Sequence, residues 1–221
     1  MRILTWNCCH GHYSERFARI EDLKPDVTII PEVAEPMFRS PNVQWARVSQ
    51  NYGIAVGAYN DFAITRIGGD EPLHRCVHGY HISGPNSFNL LACWSHDPNE
   101  DDYRTPWVNG VAAYEPHLKD EPLVVAGDFN DHPMWNKDYR NHEPFQSLLD
   151  RFCKKHKLVS AYHGFHREQY GEESRFTHFN NRKSKGYHID YVLVPEAWRV
   201  TKVTIGSRIF DHMPLLVTIA G

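Results

Sequence analysis

Gly127-Asp128-Phe129-Asn130 follows the apolar run 124–126, a stretch that reads as a buried strand. The strand ends in a glycine and then in two polar groups two residues apart. On extended backbone, residues i and i+2 point the same way. Asp128 and Asn130 would then leave the strand side by side, with Phe129 turned toward the core. A carboxylate and an amide at a strand's carboxyl end are a common way to place chemistry on an α/β scaffold. Alone, the pair reads equally well as a turn begun by Asp128 and a cap supplied by Asn130. Other apolar runs also end in polar groups: Asn7, Glu32, His96, and Asp211 with His212, while Asp190 adds a carboxylate one strand earlier. Each is weak by itself, since a lone Glu after an apolar run is commonly the first solvated residue of a loop.

These residues need strands to carry them. Residues 2–7 alternate, with Ile3, Thr5 and Asn7 on one face and Leu4 and Trp6 on the other. Ser14 can cap a helix whose stripe is Phe17, Ile20 and Leu23. Residues 27–30 form a second buried strand that ends at Pro31-Glu32. Runs at 43–48, 53–59, 62–67, 75–82 and 88–94 predict an antiparallel meander. Residues 106–118 predict a helix with Trp107, Val108, Val111 and Ala112 inward. Pro144 sits at the first position of a third helix with the stripe Phe145, Leu148, Leu149 and Phe152. Residues 187–194 read as a strand with His188 and Asp190 on one face, and 200–205 and 213–219 complete the sheet. No repeat, linker or low-complexity tract divides the chain, so one domain over 1–221 is expected. The pattern favours an α/β fold of two packed mixed sheets flanked by helices, although periodicity alone also admits a single mixed sheet.

Composition narrows the classes. The 221 residues carry a net charge of −3, so no global basic field advertises nucleic acid. Five cysteines without a Cys-x-x-Cys argue against a disulfide framework or a zinc knuckle and fit a reducing cytoplasm. No signal-length apolar segment opens the chain, and no run is long enough to span a membrane. The fifteen histidines exceed what cross-strand packing calls for, and some are expected to line a polar site.

Taken together, Thr5-Trp6-Asn7, Pro31-Glu32-Val33, Gly127-Asp128-Phe129-Asn130, His188-Ile189-Asp190-Tyr191 and Asp211-His212-Met213-Pro214 resemble, in order and spacing, the endonuclease/exonuclease/phosphatase superfamily. The match runs from residue 3 to about residue 219. The resemblance implies a DNase I-like four-layered α/β sandwich and a divalent-metal phosphoesterase. Two positions depart from the pattern: Pro31 stands where the family has Gln, and Phe210 where it has Ser.

By resemblance, Glu32 is the principal ligand of Mg²⁺, for which Mn²⁺ can substitute, with Asp211 assisting and Asn7 close by. Asp128 would orient or deprotonate the attacking water, and Asn130 would hold water or phosphate through its amide. His212 would contact the phosphate with Asp190 as its partner. His96 occupies the position of a His or Tyr that stabilises the transition state or protonates the leaving oxygen. For substrate contacts, residues 163–186 carry Arg175 and Arg182 among aromatics, and residues 131–142 carry Trp135 and Tyr139. Cations and stacking rings suit nucleic acid, though a solvated loop with aromatic anchors reads as well. The expectation is a nuclease acting on DNA. The alternatives are a phosphatase or phosphodiesterase for a small phosphorylated metabolite or lipid head group, and an inactive nucleic-acid-binding module. Neither a membrane nor an obligate protein partner is implied.

Overall fold

The computed structural model describes residues 1–10, 13–35, 41–97, 102–138, 142–182 and 184–220, with side chains of the first helix described from residue 18 onward. Two six-stranded mixed sheets pack face to face. The first runs, in spatial order, β13 (Val200–Ile205), β14 (Leu215–Ile219), β1 (Arg2–Thr5), β2 (Val27–Ala34), β4 (Tyr52–Ala58) and β3 (Val43–Arg47). The second runs β5 (Ala63–Arg66), β6 (Val77–Ser83), β7 (Phe88–Trp94), β8 (Leu123–Asp128), β12 (Asp190–Pro195) and β9 (Leu158–Ser160). Each sheet has one parallel pair at its centre, β1 with β2 and β7 with β8. The predicted meander is therefore divided, with β3 and β4 in one sheet and β5 to β7 in the other.

The apolar face shared by the sheets holds Ile3, Ile29, Val56, Leu90, Trp94 and Val124. The outer face of the second sheet is covered by α2 (Arg104–Tyr114) and α3 (Phe145–His156), that of the first by α1 (Tyr13–Asp22). This gives the four expected layers. The α3 stripe is buried as read from the sequence. In α2 the inward residues are Trp107, Gly110, Val111 and Tyr114, whereas Ala112 faces out. A Cβ at Gly110 would lie 2.3 Å from Val77, so the helix is seated on β6 through its glycine. Phe17, Tyr139 and the Ser14 cap lie outside the described side chains. β9 (Leu158–Ser160), α4 (Ala161–His166) directly after it, and a two-stranded ribbon of β10 (His178–Asn180) and β11 (Lys185–Tyr187) were not expected from the sequence.

β2 does not end at Pro31. It continues to Ala34 through a bulge opposite β4 between Ile30 and Val33, and Glu32 takes a φ of +55°. The bulge interrupts the ladder where Pro31 has no N–H to give, and it re-aims Glu32. Gly127 has a φ of +140° between two paired strands, and a Cβ there would lie 1.9 Å from the Cys93 carbonyl oxygen. Gly127→Ala is expected to destabilise the fold by about 3 kcal/mol or more, read as a lower denaturation midpoint with unchanged slope. A wild-type midpoint would mean this backbone approach is not required.

Candidate active site

Five strand ends and the β2 bulge lie at one end of the sandwich. Asn7 follows β1, Glu32 sits in the β2 bulge, and Asp211-His212 precede β14 in the first sheet. In the second sheet His96 follows β7, Asp128 closes β8 and Asp190 opens β12. Asp211-His212 and Asp190 thus lie at strand entrances, not exits, because β14 and β12 run antiparallel to their central neighbours. Register places Trp94 and Asp190 on either side of Asp128.

Side chains clasp the two sheets across this end. Asn7 Nδ2 donates to Asp128 Oδ2 at 2.8 Å, and the Cys9 backbone N–H holds Asn7 Oδ1 at 2.7 Å. His212 Nδ1 lies 2.9 Å from Asp190 Oδ2, and its Nε2 lies 4.0 Å from Asp128 Oδ2. Asp128 Oδ1 accepts the Asn130 backbone N–H at 2.8 Å, and Asn130 has a φ of +51°. The extended-chain argument for this pair therefore fails beyond Asp128. The segment is a turn begun by the aspartate, and the turn itself presents Asn130. Phe129 is buried against Trp107 and Tyr191, as expected.

Electrostatics follow from crowding carboxylates out of water. Burial pushes the Asp128 carboxyl up, and repulsion from Asp190 and Glu32 adds to this, while His212 opposes it. Burial disfavours charge on His212, but Asp190, then Asp128 and Asp211, outweigh it and raise the ring to about 10. His212 is an imidazolium at neutral pH. Asp211 is held below the usual carboxylate range: burial works against this, while a bond from the Cys9 side chain and the His212 charge prevail.

Sequence reasoning missed the residues that hold this arrangement. Thr177 Oγ1 accepts the backbone N–H groups of Ile189 and Asp190 at 3.1 and 3.0 Å, fixing the start of β12. The His178 ring stands 4.7 Å from His212; burial and then the His212 charge push it down to about 4, so it is neutral. Neither residue belongs to a strand-end motif, and only the ribbon's pairing beside His212 brings them in. Cys9 was likewise not singled out, although it touches both Asn7 and Asp211.

The remaining candidates fall on the rim. His96 stacks on Trp94 at 5.4 Å, and the Ser95 N–H donates to the Asp128 carbonyl at 2.9 Å, so His96 sits one residue past the pairing with Asp128. Arg182 lines a cavity of about 280 Å³ together with His178, Phe179 and Asp211. Trp135 packs on Tyr187 at 4.9 Å. Arg175 is exposed, and its backbone N–H donates to the Tyr162 hydroxyl; among the described residues no contact joins its guanidinium to the cluster.

Asp128, Asp190 and His212 offer ligand atoms within 4.8 Å of one another, a possible acidic/histidine metal site. A ring held as imidazolium is a poor ligand, because its proton occupies the lone pair a metal needs. The oxygen donors fit a hard cation better. Among the described residues Asp211 Oδ1 is buried without a hydrogen-bond partner, and Asp190 and Glu32 crowd Asp128 with like charge that a cation would relieve.

A model described as the Endonuclease/Exonuclease/phosphatase family matches residues 4–208, and the chain belongs to this family. It is a hydrolase of phosphoester bonds, of a divalent-metal-dependent kind. The chain resembles the endonuclease domain of TRAS1, a telomere-specific non-LTR retrotransposon, at 15% identity and a TM-score of 0.68, over 99% of this chain and 97% of that one. It resembles an AP endonuclease from Archaeoglobus fulgidus at 14% identity and a TM-score of 0.69, over 99% of both chains. A mannosyl-6-phosphatase of Bacteroides thetaiotaomicron matches at 13% identity and a TM-score of 0.61, over 100% of both chains. Comparison with curated protein sequences finds no match. Among the described residues no helix is long and apolar enough to cross a membrane.

Proposed function

We propose that this chain is a Mg²⁺-dependent phosphodiesterase that cuts DNA. The reading rests above all on one observation: the Asn7–Asp128 and His212–Asp190 bonds bring the Asp128 carboxyl and the His212 ring together between the sheets. Glu32 and Asp211, with Asn7 beside them, would hold Mg²⁺. When bound, the ion neutralises charge on a phosphoryl oxygen and acts as a Lewis acid. Asp128 takes the proton of the attacking water, and Asn130 orients that water through its amide. Asp190 keeps the His212 proton on Nδ1, which leaves Nε2–H to donate to the phosphoryl oxygens as charge builds. His96, which stacks on Trp94, would donate to the leaving oxygen.

The substrate is argued from this chain's own surface, because the fold is shared by nucleases and by a sugar phosphatase. Beside His212 the ribbon groups rings and cations. Phe176 and Phe210 are exposed, Arg208 lies over Phe179 at 4.2 Å, and Lys185 lies over Tyr187 at 5.7 Å. Arg182 shares a cavity with Asp211. Exposed rings offer stacking faces to bases, and the cations offer partners for backbone phosphates. A sugar phosphate would use few of them.

The test is an activity panel of plasmid, abasic duplex, 5′-adducted DNA, RNA and small phosphate esters, with and without Mg²⁺. DNA cleavage that needs Mg²⁺ and weakens steeply with salt is the expected result. Rapid turnover of a small ester with DNA left intact would replace this reading with that of a metabolite phosphatase. Glu32→Ala should lower turnover by roughly a hundredfold or more and raise the Mg²⁺ concentration needed for half-maximal rate. An unchanged Mg²⁺ titration would remove Glu32 from the metal site.

A further inference from the structure

A cavity of about 600 Å³ opens between the free edges of β3 and β5, lined in part by Trp45, Arg47, Arg66 and Arg75, with Asp70 and Glu71 exposed at its mouth. Two of its arginines, Arg66 and Arg75, are aimed by backbone carbonyls. Arg66 donates to the carbonyls of Asp70 and Trp45 at 3.0 and 3.1 Å, and Arg75 Nε donates to that of Val48 at 2.5 Å. Carbonyl partners orient a guanidinium while leaving its full charge in place. Arg75 Nη1 also meets Asp97 Oδ1 at 3.5 Å, with the arginine side chain 40% and the aspartate 18% exposed, so this guanidinium is shared with a carboxylate. Arg47 stands over the Trp45 ring at 5.8 Å, and among the described residues neither it nor Arg66 forms an ion pair. Counting Asp97 with Asp70 and Glu71, the three guanidinium groups are balanced in formal charge, but Arg47 and Arg66 have no carboxylate partner among the described residues, and these are the groups an anion would meet.

The placement relates this cavity to the reaction centre. Arg47, Gly53 and Val33 form one cross-strand row, and Val33 follows Glu32. At about 4.8 Å per strand, Arg47 starts roughly 10 Å to the side of the metal carboxylate. On the other sheet, Arg75 precedes Cys76, whose carbonyl accepts the Trp94 N–H at 3.0 Å, and it reaches Asp97, the neighbour of His96. The cavity thus opens at the catalytic end of the sandwich. Two strands separate it from Glu32, on the flank opposite β14, where the ribbon with its rings and cations meets the sheet.

We infer that this cavity is a second anion subsite for the same substrate, binding a backbone phosphate two or three nucleotides from the scissile one. The spacing follows from a rise of about 3.4 Å per nucleotide. The inference rests on the nucleic-acid reading above and sharpens it. With contacts on both flanks of the cluster, the strand continues past the cleaved bond in both directions, so the cut is internal and the action endonucleolytic.

Arg47→Glu is the informative variant, because the Arg47 side chain is exposed and makes no hydrogen bond among the described residues. Cleavage of a long oligonucleotide and of a dinucleotide is measured across a salt series, and binding of the labelled long strand is followed by fluorescence anisotropy without Mg²⁺. The long strand should show a KM and Kd about tenfold higher, with a salt slope shallower by about one or more. Its kcat, and all constants for the dinucleotide, should stay at wild-type values, and Arg47→Lys should restore the long-strand constants. Wild-type binding, KM and salt slope for Arg47→Glu on a strand that the wild-type enzyme does cut would overturn this inference alone. If the wild-type enzyme neither binds nor cuts the long strand, the nucleic-acid reading falls and takes the subsite with it.

Discussion

His212→Ala is expected to cut phosphodiester turnover by roughly two to three orders of magnitude, while the Mg²⁺ dependence stays near wild type. Among the described residues the ring is the cation in direct contact with the Asp190 carboxylate. Asp190 at 2.9 Å and Asp128 at 4.0 Å hold it protonated to about pH 10 against the cost of burying it. Its Nε2–H therefore stays a charged donor throughout the neutral range and interacts more strongly as charge develops on the phosphoryl oxygens. An interaction that strengthens toward the transition state appears in kcat. Single-turnover rates at saturating substrate are the measurement. A variant that cleaves as fast as the wild-type enzyme would dismantle the site as assigned. His212→Asn keeps a neutral donor and should recover only a small part of the loss, since the charge is what the carboxylates sustain.

Acid should unfold this protein early, for reasons remote from the reacting groups. His78 and His188 are almost fully buried, and among the described residues no well-formed hydrogen bond reaches either ring; the backbone of Arg75 beside His78 and of Arg175 beside His188 only weakly offsets the burial. Burial pushes both from 6.5 down to about 3; for His78 the Arg66 charge adds to this, and for His188 proximity to His163 does. A ring kept neutral in the fold but free to protonate when unfolded contributes stability that is full above 6.5. That stability is lost as pH falls toward 3. Each such ring costs about 1.4 kcal/mol per pH unit across that window. The two together remove roughly 5 kcal/mol between pH 6.5 and 4.5. His178, lowered to about 4, acts in the same sense, and metal-free Asp128, whose pKa is raised, acts in the opposite one, so these two largely offset. Urea denaturation at the two pH values measures the drop, and His78→Leu should remove about half of it. Equal stability at both pH values would mean that the rings find partners the fold does not display.

The long apolar periods are the most legible part of this chain. The stripe Phe145, Leu148, Leu149 and Phe152 reads directly onto the sheet, because large side chains at helical spacing have one way to be buried. The α2 face is misread for the complementary reason. Small residues carry little hydrophobic weight, so Ala112 reads as inward, while the close approach to Val77 at Gly110 decides the face. Glu32 is legible as a polar group after an apolar run, but its bulge and left-handed backbone depend on how β2 pairs with β4.

The amino-acid order alone determines the membership of the chain, its layered class, and the identity of Asn7, Glu32, Asp128, Asn130, Asp190, Asp211 and His212 as candidates, because these stand in strand-end motifs whose order and spacing match a family. The tertiary structure alone decides what they touch: the pairing of β12 against β8 that sets Asp190 opposite Asp128, the Thr177 hydroxyl that fixes Asp190, and the neutral His178 ring beside His212. The physical reason is that strand propensity is local, whereas register and the charge state of a buried group come from neighbours a hundred residues away in the chain.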